Sequence, residues 1–264
     1  MGDTSSSPPL LAVLDGAVLL LTLNRPETLN SLTPELLVAL GRALHEDAAE
    51  PSVRAVVITG AGRGFCSGQD LAELPAHAGG IDVRARLTSD YLPVIRAMAT
   101  LEKPVIAAVN GVAAGAGLAL ALGCDLRVAA ETATFVQAFV RRGLVPDAGA
   151  TYLLPRVVGL GRALELSLLG DPVSAADAER MGLVNRVVPD AELMPAALEM
   201  AARLAAGPRA VGLTKLLLRQ SLDRTLAEQC AREADAQAEA VSTEDFAEGL
   251  AAFREKRPPR FRGR

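Results

Sequence analysis

The sequence predicts a layered α/β core followed by a helical C-terminal region. Three observations carry that prediction. Two β-branched runs, 53–59 and 105–109, each end in a glycine-rich exit; helical segments lie between and after them; and the pattern from Gly161 onward is helical. In chain order, residues 1–9 are polar and end in proline, the composition of a loose arm. Apolar stretches at 10–14 and 17–23 flank Asp15-Gly16 and predict an edge hairpin. Thr33-Pro34-Glu35 then opens a helix to about Ala49, with Thr33 as N-cap, proline at the first helical position, and Leu36, Leu37, Leu40 and Leu44 on one face. The runs 53–59 and 105–109 read as fully buried strands, closed by Gly60-Ala61-Gly62 and Asn110-Gly111, and helices at 83–101 and 117–122 complete the alternation. Further helices are expected near 161–169, 175–181, 190–205 and 210–240, with turns at Gly170-Asp171-Pro172 and Gly207-Pro208. The charged, alanine-rich stretch 227–240 reads as a solvated face, with a partner-facing surface as the alternative. The tail 253–264 gathers basic charge beside Phe253 and Phe261, suited either to an anionic ligand or to solvent.

Composition narrows the chemistry. At 264 residues and 50% hydrophobic, the chain has ample material for a core. With 27 basic against 31 acidic residues, the net charge of −4 offers nothing to neutralise nucleic-acid phosphates, and 3% aromatic content without tryptophan provides no base-stacking platform. Cys66, Cys124 and Cys230 fit neither a disulfide framework nor a zinc site, which points to a reducing cytoplasm. The first residues lack a signal-peptide pattern, and no apolar run reaches the roughly 20 residues that span a bilayer. His45 and His77 are too few for a histidine-rich metal site, so the chemistry falls to carboxylates and backbone groups.

Three segments can carry it. Gly60-Ala61-Gly62-Arg63-Gly64-Phe65-Cys66-Ser67-Gly68-Gln69-Asp70-Leu71 follows a buried strand and lets backbone N–H groups face a ligand, or is a flexible connection. Its glycines match neither a dinucleotide nor a triphosphate motif. Asn110-Gly111-Val112-Ala113-Ala114-Gly115-Ala116-Gly117 enters a helix through small residues, which suits close helix packing or N–H donors aimed at a developing negative charge. Two such exits in one core permit donors from separate loops to converge on a single oxygen, the geometry of an oxyanion hole. Third, Asp147, in Gly143-Leu144-Val145-Pro146-Asp147-Ala148-Gly149, is either the N-cap of the next helix or an acid/base whose pKa is raised by apolar Leu144, Val145 and Phe139. Asp70 is polar and beside the first loop, and a capping role competes with a ligand contact.

Together these segments resemble the enoyl-CoA hydratase/isomerase family, the crotonase superfamily. The likeness extends through Asn24-Arg25-Pro26-Glu27-Thr28-Leu29-Asn30, Lys103-Pro104-Val105-Ile106-Ala107-Ala108-Val109-Asn110-Gly111, Cys124-Asp125-Leu126, Leu154-Pro155-Arg156, Arg180-Met181-Gly182-Leu183-Val184 and Phe253-Arg254-Glu255-Lys256-Arg257-Pro258. The resemblance implies an α/β crotonase (ClpP/crotonase-like) fold of repeated ββα units. It divides the chain into an arm at 1–9, a core at 10–200 and a helical trimerisation region at 201–264. It also implies an acyl-CoA thioester substrate, no cofactor or metal beyond the CoA of that substrate, and a homotrimer or a hexamer built of two trimers. The oxyanion hole then falls on the backbone N–H groups of Gln69 and Ala116. Glu27, Thr28, Leu29, Ser67, Gly68, Asp70 and Leu71 match stretches lining CoA, Gly115 and Pro146 join the substrate-contacting set, and the basic tail is a further candidate for CoA phosphates.

Departures from the hydratase pattern point to the reaction. Ala119 and Phe139 stand where the family's hydratases carry two water-activating glutamates, and neither moves a proton. The surroundings of Asp147 most resemble the 1,2-epoxyphenylacetyl-CoA isomerase branch, in which an aspartate at this position is catalytic. The expectation is an isomerase acting on a ring epoxide, on a Δ3-enoyl-CoA, or on both. A fatty acyl-CoA hydratase, a non-catalytic acyl-CoA-binding protein and a hydrolytic enzyme with a nucleophilic aspartate are the competing readings. The segment 75–80, which includes His77, has a composition suited to a lid over the acyl group.

Overall fold

The computed structural model describes residues 7–70 and 82–264. Leu71, the 75–80 segment with His77, and the first six residues of the arm therefore lie outside the described residues. The hairpin forms as expected from β1 (Leu10–Asp15) and β2 (Val18–Leu23), turning at Gly16. Helix α1 (Pro34–His45) begins on Thr33, whose side chain accepts the Leu36 N–H, and ends one turn before Ala49. Residues Asp47–Ala49 form a separate 3-10 turn.

Strands then come in pairs. These are β3 (Ala55–Gly60) and β4 (Gly64–Cys66), β5 (Val105–Val109) and β6 (Val112–Ala114), and β7 (Leu126–Ala130) and β8 (Thr134–Val136). The first of each pair joins a large sheet and the second a small one. Helices α2 (Val83–Arg86) and α3 (Leu92–Thr100) follow the first pair, α4 (Ala116–Gly123) the second and α5 (Ala150–Leu169) the third, so the ββα unit repeats. After α5 come β9 (Val173–Ser174), α6 (Ala175–Arg180) and β10 (Arg186–Val188), then α7 (Leu193–Ala205), α8 (Ala210–Gln220), α9 (Leu226–Val241) and α10 (Glu244–Glu255). Among the described residues the large sheet runs β1-β2-β3-β5-β7-β10, parallel except for the first hairpin, and the small one β4-β6-β8-β9.

The strand period of two divides the core. Along β3, Val56 and Ile58 enter the cluster shared with Leu36, Leu40, Val94, Met98 and Leu118, whereas Ala55 and Val57 face Ala197, Ala201 and Ala205 of α7. Burial on both faces explains why β3 and β5 read as unbroken apolar runs. The cover of the sheet thus extends through α7 to Ala205, across position 200.

Four features differ from the expectation. The three-residue strands β4, β6 and β8 lie within what reads as loop, because glycine, cysteine and alanine over three positions give no alternation to detect. Helix α5 starts at Ala150 rather than Gly161, with a break at Gly159, whose φ of 77° and ψ of 157° separate two helical arms. The 210–240 helix divides at Ser221–Asp223, after which Thr225 and Glu228 form a reciprocal capping box on α9. The basic tail folds back on α10: Arg257 pairs with Glu248 at 2.6 Å, and the buried Asp245 carboxylate accepts the N–H groups of Arg209, Arg262 and Gly263. α9 buries no residue, an exposure that fits both the solvated and the partner-facing readings.

Helix α8 is fastened to the core by one carboxylate. Asp125 accepts Lys215 Nζ at 2.8 Å, Arg219 at 2.8 and 2.9 Å, and the Val105 N–H at 2.8 Å. Burial of Lys215 favours its neutral form, an effect that the adjacent Asp125 opposes. Asp125→Ala leaves two shielded cations without a counter-charge, each holding only a backbone carbonyl; it should cost about 3 kcal/mol of stability, read by chemical denaturation, with faster amide exchange in α8 than in α4. Unchanged α8 exchange would show that the ion pairs do not dock it.

Candidate active site

The site begins with a loop held by side-chain amides and hydroxyls. After β2 the chain makes a 3-10 turn at Pro26–Thr28, then passes through Leu29 and Asn30 with φ of 53° and 57°. Two consecutive left-handed non-glycine residues require compensation. Asn30 supplies it: fully buried, it accepts the Arg25 N–H at 2.9 Å and donates to the carbonyls of Ala61 at 2.9 Å and Gly64 at 2.7 Å. Ser67 then donates its hydroxyl to the Thr28 carbonyl at 2.9 Å and its N–H to that of Leu29 at 2.9 Å. Glu27 is exposed on this turn, with Thr28 and Leu29 half-buried, so the three present one edge to solvent.

Asp70 latches the same loop. Its carboxylate lies 2.8 Å from Arg25 Nη1 and accepts the Ser31 hydroxyl at 2.9 Å, while Arg25 Nη1 also reaches the Ser31 carbonyl at 2.7 Å. Leu32 donates to the Gly68 carbonyl at 2.7 Å and accepts from the Asp70 N–H at 3.1 Å, a bridge that fixes Gln69 between them.

The second loop comes against the first. β4 and β6 are parallel neighbours, and their exits meet where a side chain on either side would obstruct. A Cβ on Gly68, whose φ is 95°, would stand 2.7 Å from the Ala114 carbonyl oxygen and 3.4 Å from the Ala116 nitrogen; one on Gly117 would stand 2.1 Å from the Cys66 carbonyl oxygen. Glycine at these two positions brings Gln69 and Ala116 together. Gly115, with φ 52°, donates to the Val136 carbonyl at 2.9 Å and opens α4, a wholly buried helix whose N-terminal dipole favours negative charge at Ala116. Among the described residues, neither the Gln69 N–H nor the Ala116 N–H donates to another protein group. That arrangement suits two donors aimed at one oxyanion.

Asp147 does not cap α5. The N-cap is Gly149, without a side-chain bond, and the Asp147 backbone carbonyl, not its carboxylate, accepts the Ala150 N–H at 2.8 Å. Pro146 and Asp147 are half-buried, and the next two residues, Ala148 at φ 49° and Gly149 at φ 80°, both lie in the left-handed region. This turn releases the carboxylate from the capping position. Burial raises the Asp147 pKa, opposed by its own backbone N–H. The desolvating groups are not all those expected, since Leu144 and Val145 are exposed. Phe139 is buried, and its ring carbons lie 3.8 Å from where a Gly115 Cβ would be, against the second loop.

Three further residues join this region that sequence reasoning did not single out. Tyr91 is buried and carries no hydrogen-bond partner on its hydroxyl; its ionisation is disfavoured first by burial and also by the charge of Asp147 and by Cys66, and opposed by Arg86. Arg86 has Nε and Nη2 buried without a hydrogen-bond partner. Gln137, 1% exposed, satisfies neither side-chain amide atom and follows the residue that receives the Gly115 N–H. A tyrosine in an otherwise ordinary helical stretch gives no sequence signal; only the orphaned hydroxyl marks it. Cys66, by contrast, is a packed side chain whose thiol burial pushes up to about 12, with Gly68 opposing. Gly68→Ala should lower stability by about 2 kcal/mol, through a Cβ forced on a backbone oxygen in a left-handed conformation. Chemical denaturation measures it, and a wild-type midpoint would show that the loops part without cost.

Comparisons with known proteins identify the family and the fold. A family model described as enoyl-CoA hydratase/isomerase matches residues 14–264. A 1,2-epoxyphenylacetyl-CoA isomerase from Escherichia coli strain K12 is 43% identical over 97% of this chain and 98% of its own length. A Rhodobacter capsulatus protein named "Probable enoyl-CoA hydratase" is 45% identical over 92% of this chain and 94% of its own. The crystal structure of an enoyl-CoA hydratase from Bacillus anthracis superposes with a TM-score of 0.91 at 36% identity, covering 97% of this chain and 100% of the other. A monofunctional enoyl-CoA isomerase from M. smegmatis superposes at 0.73 with 42% identity, over 84% of this chain and 98% of the other. With its paired-sheet ββα units and helical C-terminal part, the chain has the crotonase fold and belongs to the enoyl-CoA hydratase/isomerase family.

Proposed function

We propose that this protein is an acyl-CoA isomerase in which Asp147 moves a proton while the Gln69 and Ala116 N–H groups hold the thioester oxygen as an enolate. The observation that carries the reading is the pairing of one half-buried carboxylate, its pKa raised by burial, with two unengaged backbone donors. Ala119 and Phe139, at the positions the hydratases fill with glutamates, supply no group that activates water. A 1,3-proton shift needs one base. The Asp147 carboxylate takes the α-proton of a Δ3-enoyl thioester, the electron pair spreads to the thioester oxygen and the γ-carbon, and the same proton returns at the γ-carbon to leave the Δ2 double bond.

A ring-1,2-epoxide of phenylacetyl-CoA calls for the same shift. Breaking the bond between the two epoxide carbons opens the bicycle to a seven-membered oxygen ring whose double bond lies β,γ to the thioester. Moving the α-proton to the γ-carbon then gives the conjugated oxepin ylidene, with no atom gained or lost. The E. coli relative's name favours this substrate. Relatives named as hydratases keep water addition to a fatty enoyl-CoA as the competing reading.

In this reading Glu27, Thr28, Leu29, Ser67 and Gly68 contact CoA, and Asp70 acts by fixing Arg25 and Ser31. The CoA belongs to the substrate, and no separate cofactor takes part. The exposed leucines of α5 (Leu160, Leu164, Leu168) and those at 218, 222 and 226 supply apolar faces for assembly as a homotrimer or a pair of trimers. Sedimentation velocity should give three or six times the 27.4 kDa chain mass.

Asp147→Asn keeps the shape of the side chain and removes the base. It should lower kcat by about 10²- to 10⁴-fold with thermal unfolding and CoA-ester binding close to wild type; turnover retained in this variant removes Asp147 from the mechanism. The pH profile gives an independent check. Because burial raises the Asp147 pKa, the carboxylate holds its proton to higher pH than usual, and the base form is lost as pH falls. The acid limb of kcat/KM for wild type should therefore lie above the ordinary value of 3.8, and a limb at or below it would place another group in the role.

A further inference from the structure

Tyr91 and Arg86 have no assigned task in the reaction, yet both hold buried donors that no group among the described residues satisfies. Tyr91 is 5% exposed, and its hydroxyl has no hydrogen-bond partner among the described residues. Arg86 turns Nε and Nη2 inward without a hydrogen bond; the nearest anion is Asp90, 3.9 Å from Nε. Leaving one such donor unmade in a protein interior is costly, so native structures rarely tolerate three together without a ligand or water to meet them. The two residues lie at either end of a π-helical turn, Leu87–Tyr91, that interrupts the helical stretch between α2 and α3. Such turns are uncommon and recur at functional sites, because the extra residue re-aims the side chains around it.

Packing ties Tyr91 to the site. It shares a buried cluster with Phe65 and Cys66 of β4 and with Ala116 at the start of α4, and besides burial, which acts most strongly on its hydroxyl, the charges of Arg86 and Asp147 act on it. All three orphaned groups donate: a phenol O–H and two guanidinium N–H groups. A hydrocarbon acyl chain offers them nothing. An acyl group carrying an oxygen acceptor two or three carbons from the thioester offers a partner.

We propose that Tyr91, supported by Arg86, is a specificity-determining residue that donates a hydrogen bond to an oxygen atom of the acyl group, and that an oxygenated acyl-CoA, such as an epoxide or cyclic ether, is therefore preferred over a plain enoyl chain. This rests on the acyl-CoA reading above and narrows it. Bound this way, the ring oxygen is held in place while Asp147 works on the α-carbon beside the ring, so the donor orients the acyl group for proton transfer.

The test separates binding from turnover. In an Asp147→Asn background, where the base is absent, titration calorimetry compares 1,2-epoxycyclohexylacetyl-CoA with cyclohexylacetyl-CoA, ligands that differ by one oxygen. The Asp147→Asn protein should bind the epoxide about tenfold or more tightly than the hydrocarbon, and the further change Tyr91→Phe should erase that preference while leaving the thermal midpoint near that of the parent. Arg86→Lys should weaken the preference in part, since a point charge replaces a fixed fork. Equal affinity for the two ligands before Tyr91 is changed overturns the proposal, as does a preference that survives Tyr91→Phe; the latter would mean that Tyr91 holds only a water molecule. If neither ligand binds while both variants remain folded, the acyl-CoA site itself is refuted along with the proposal. Failure of isomerisation in wild type, with the ligand preference intact, refutes only the reaction.

Discussion

The site depends on the close approach of two backbone segments that meet without side chains between them. Gly68 lies against Ala114 and Ala116, and Gly117 lies against Cys66, at separations that admit no Cβ. Everything chemical follows from that contact, because an oxyanion hole made of main-chain N–H groups can be no more exact than the backbones that carry them. The ββα repeat supplies the contact by pairing β4 with β6 in parallel, so both exits leave the small sheet at the same end. The large sheet is the rigid support, buried on both faces by α7 on one side and by α1, α3 and α4 on the other.

Polar side chains then hold this geometry against its strain. Asn30, Ser67 and the Arg25–Ser31–Asp70 group cross-brace the loop after β2 to the loop after β4, and the left-handed residues at 29–30 and 148–149 direct the chain at the two places where function is expected. Backbone strain of this kind persists only where surroundings over-determine it. The candidate site therefore combines a cross-braced half that presents backbone donors with a carboxylate half set on the turn into α5. In the proposed reading, oxyanion stabilisation belongs to the shared scaffold, and the residues at 119, 139 and 147 choose the reaction.

Much of this was legible in the sequence, and the limits have physical causes. Thr33-Pro34 announced α1, Gly16 the hairpin, and the β-branched runs the buried strands, because each is a local preference that the fold leaves intact. The small-sheet strands are not legible because three residues of Gly-Phe-Cys or Val-Ala-Ala carry no period, and α5 reads in two pieces, a helix start after Asp147 and a pattern from Gly161, because the break at Gly159 divides it. In the site, the glycine exits and Asp147 were readable by composition and resemblance, although the desolvation of Asp147 was credited to Leu144 and Val145, which are exposed. Tyr91, Arg86 and Gln137 were not readable at all. Their interest lies in hydrogen bonds that are missing, a property of the folded interior and not of any residue pattern.

The central claim is that one carboxylate with two backbone donors moves a proton and does not add water. Incubating the purified protein in D2O with a 3-enoyl-CoA and, separately, with crotonyl-CoA, followed by NMR and mass spectrometry, tests it most directly. The account predicts double-bond migration from the 3-enoyl thioester and no hydration of crotonyl-CoA. Rapid formation of 3-hydroxybutyryl-CoA would contradict it, because water activation would then be taking place without the carboxylates that Ala119 and Phe139 replace.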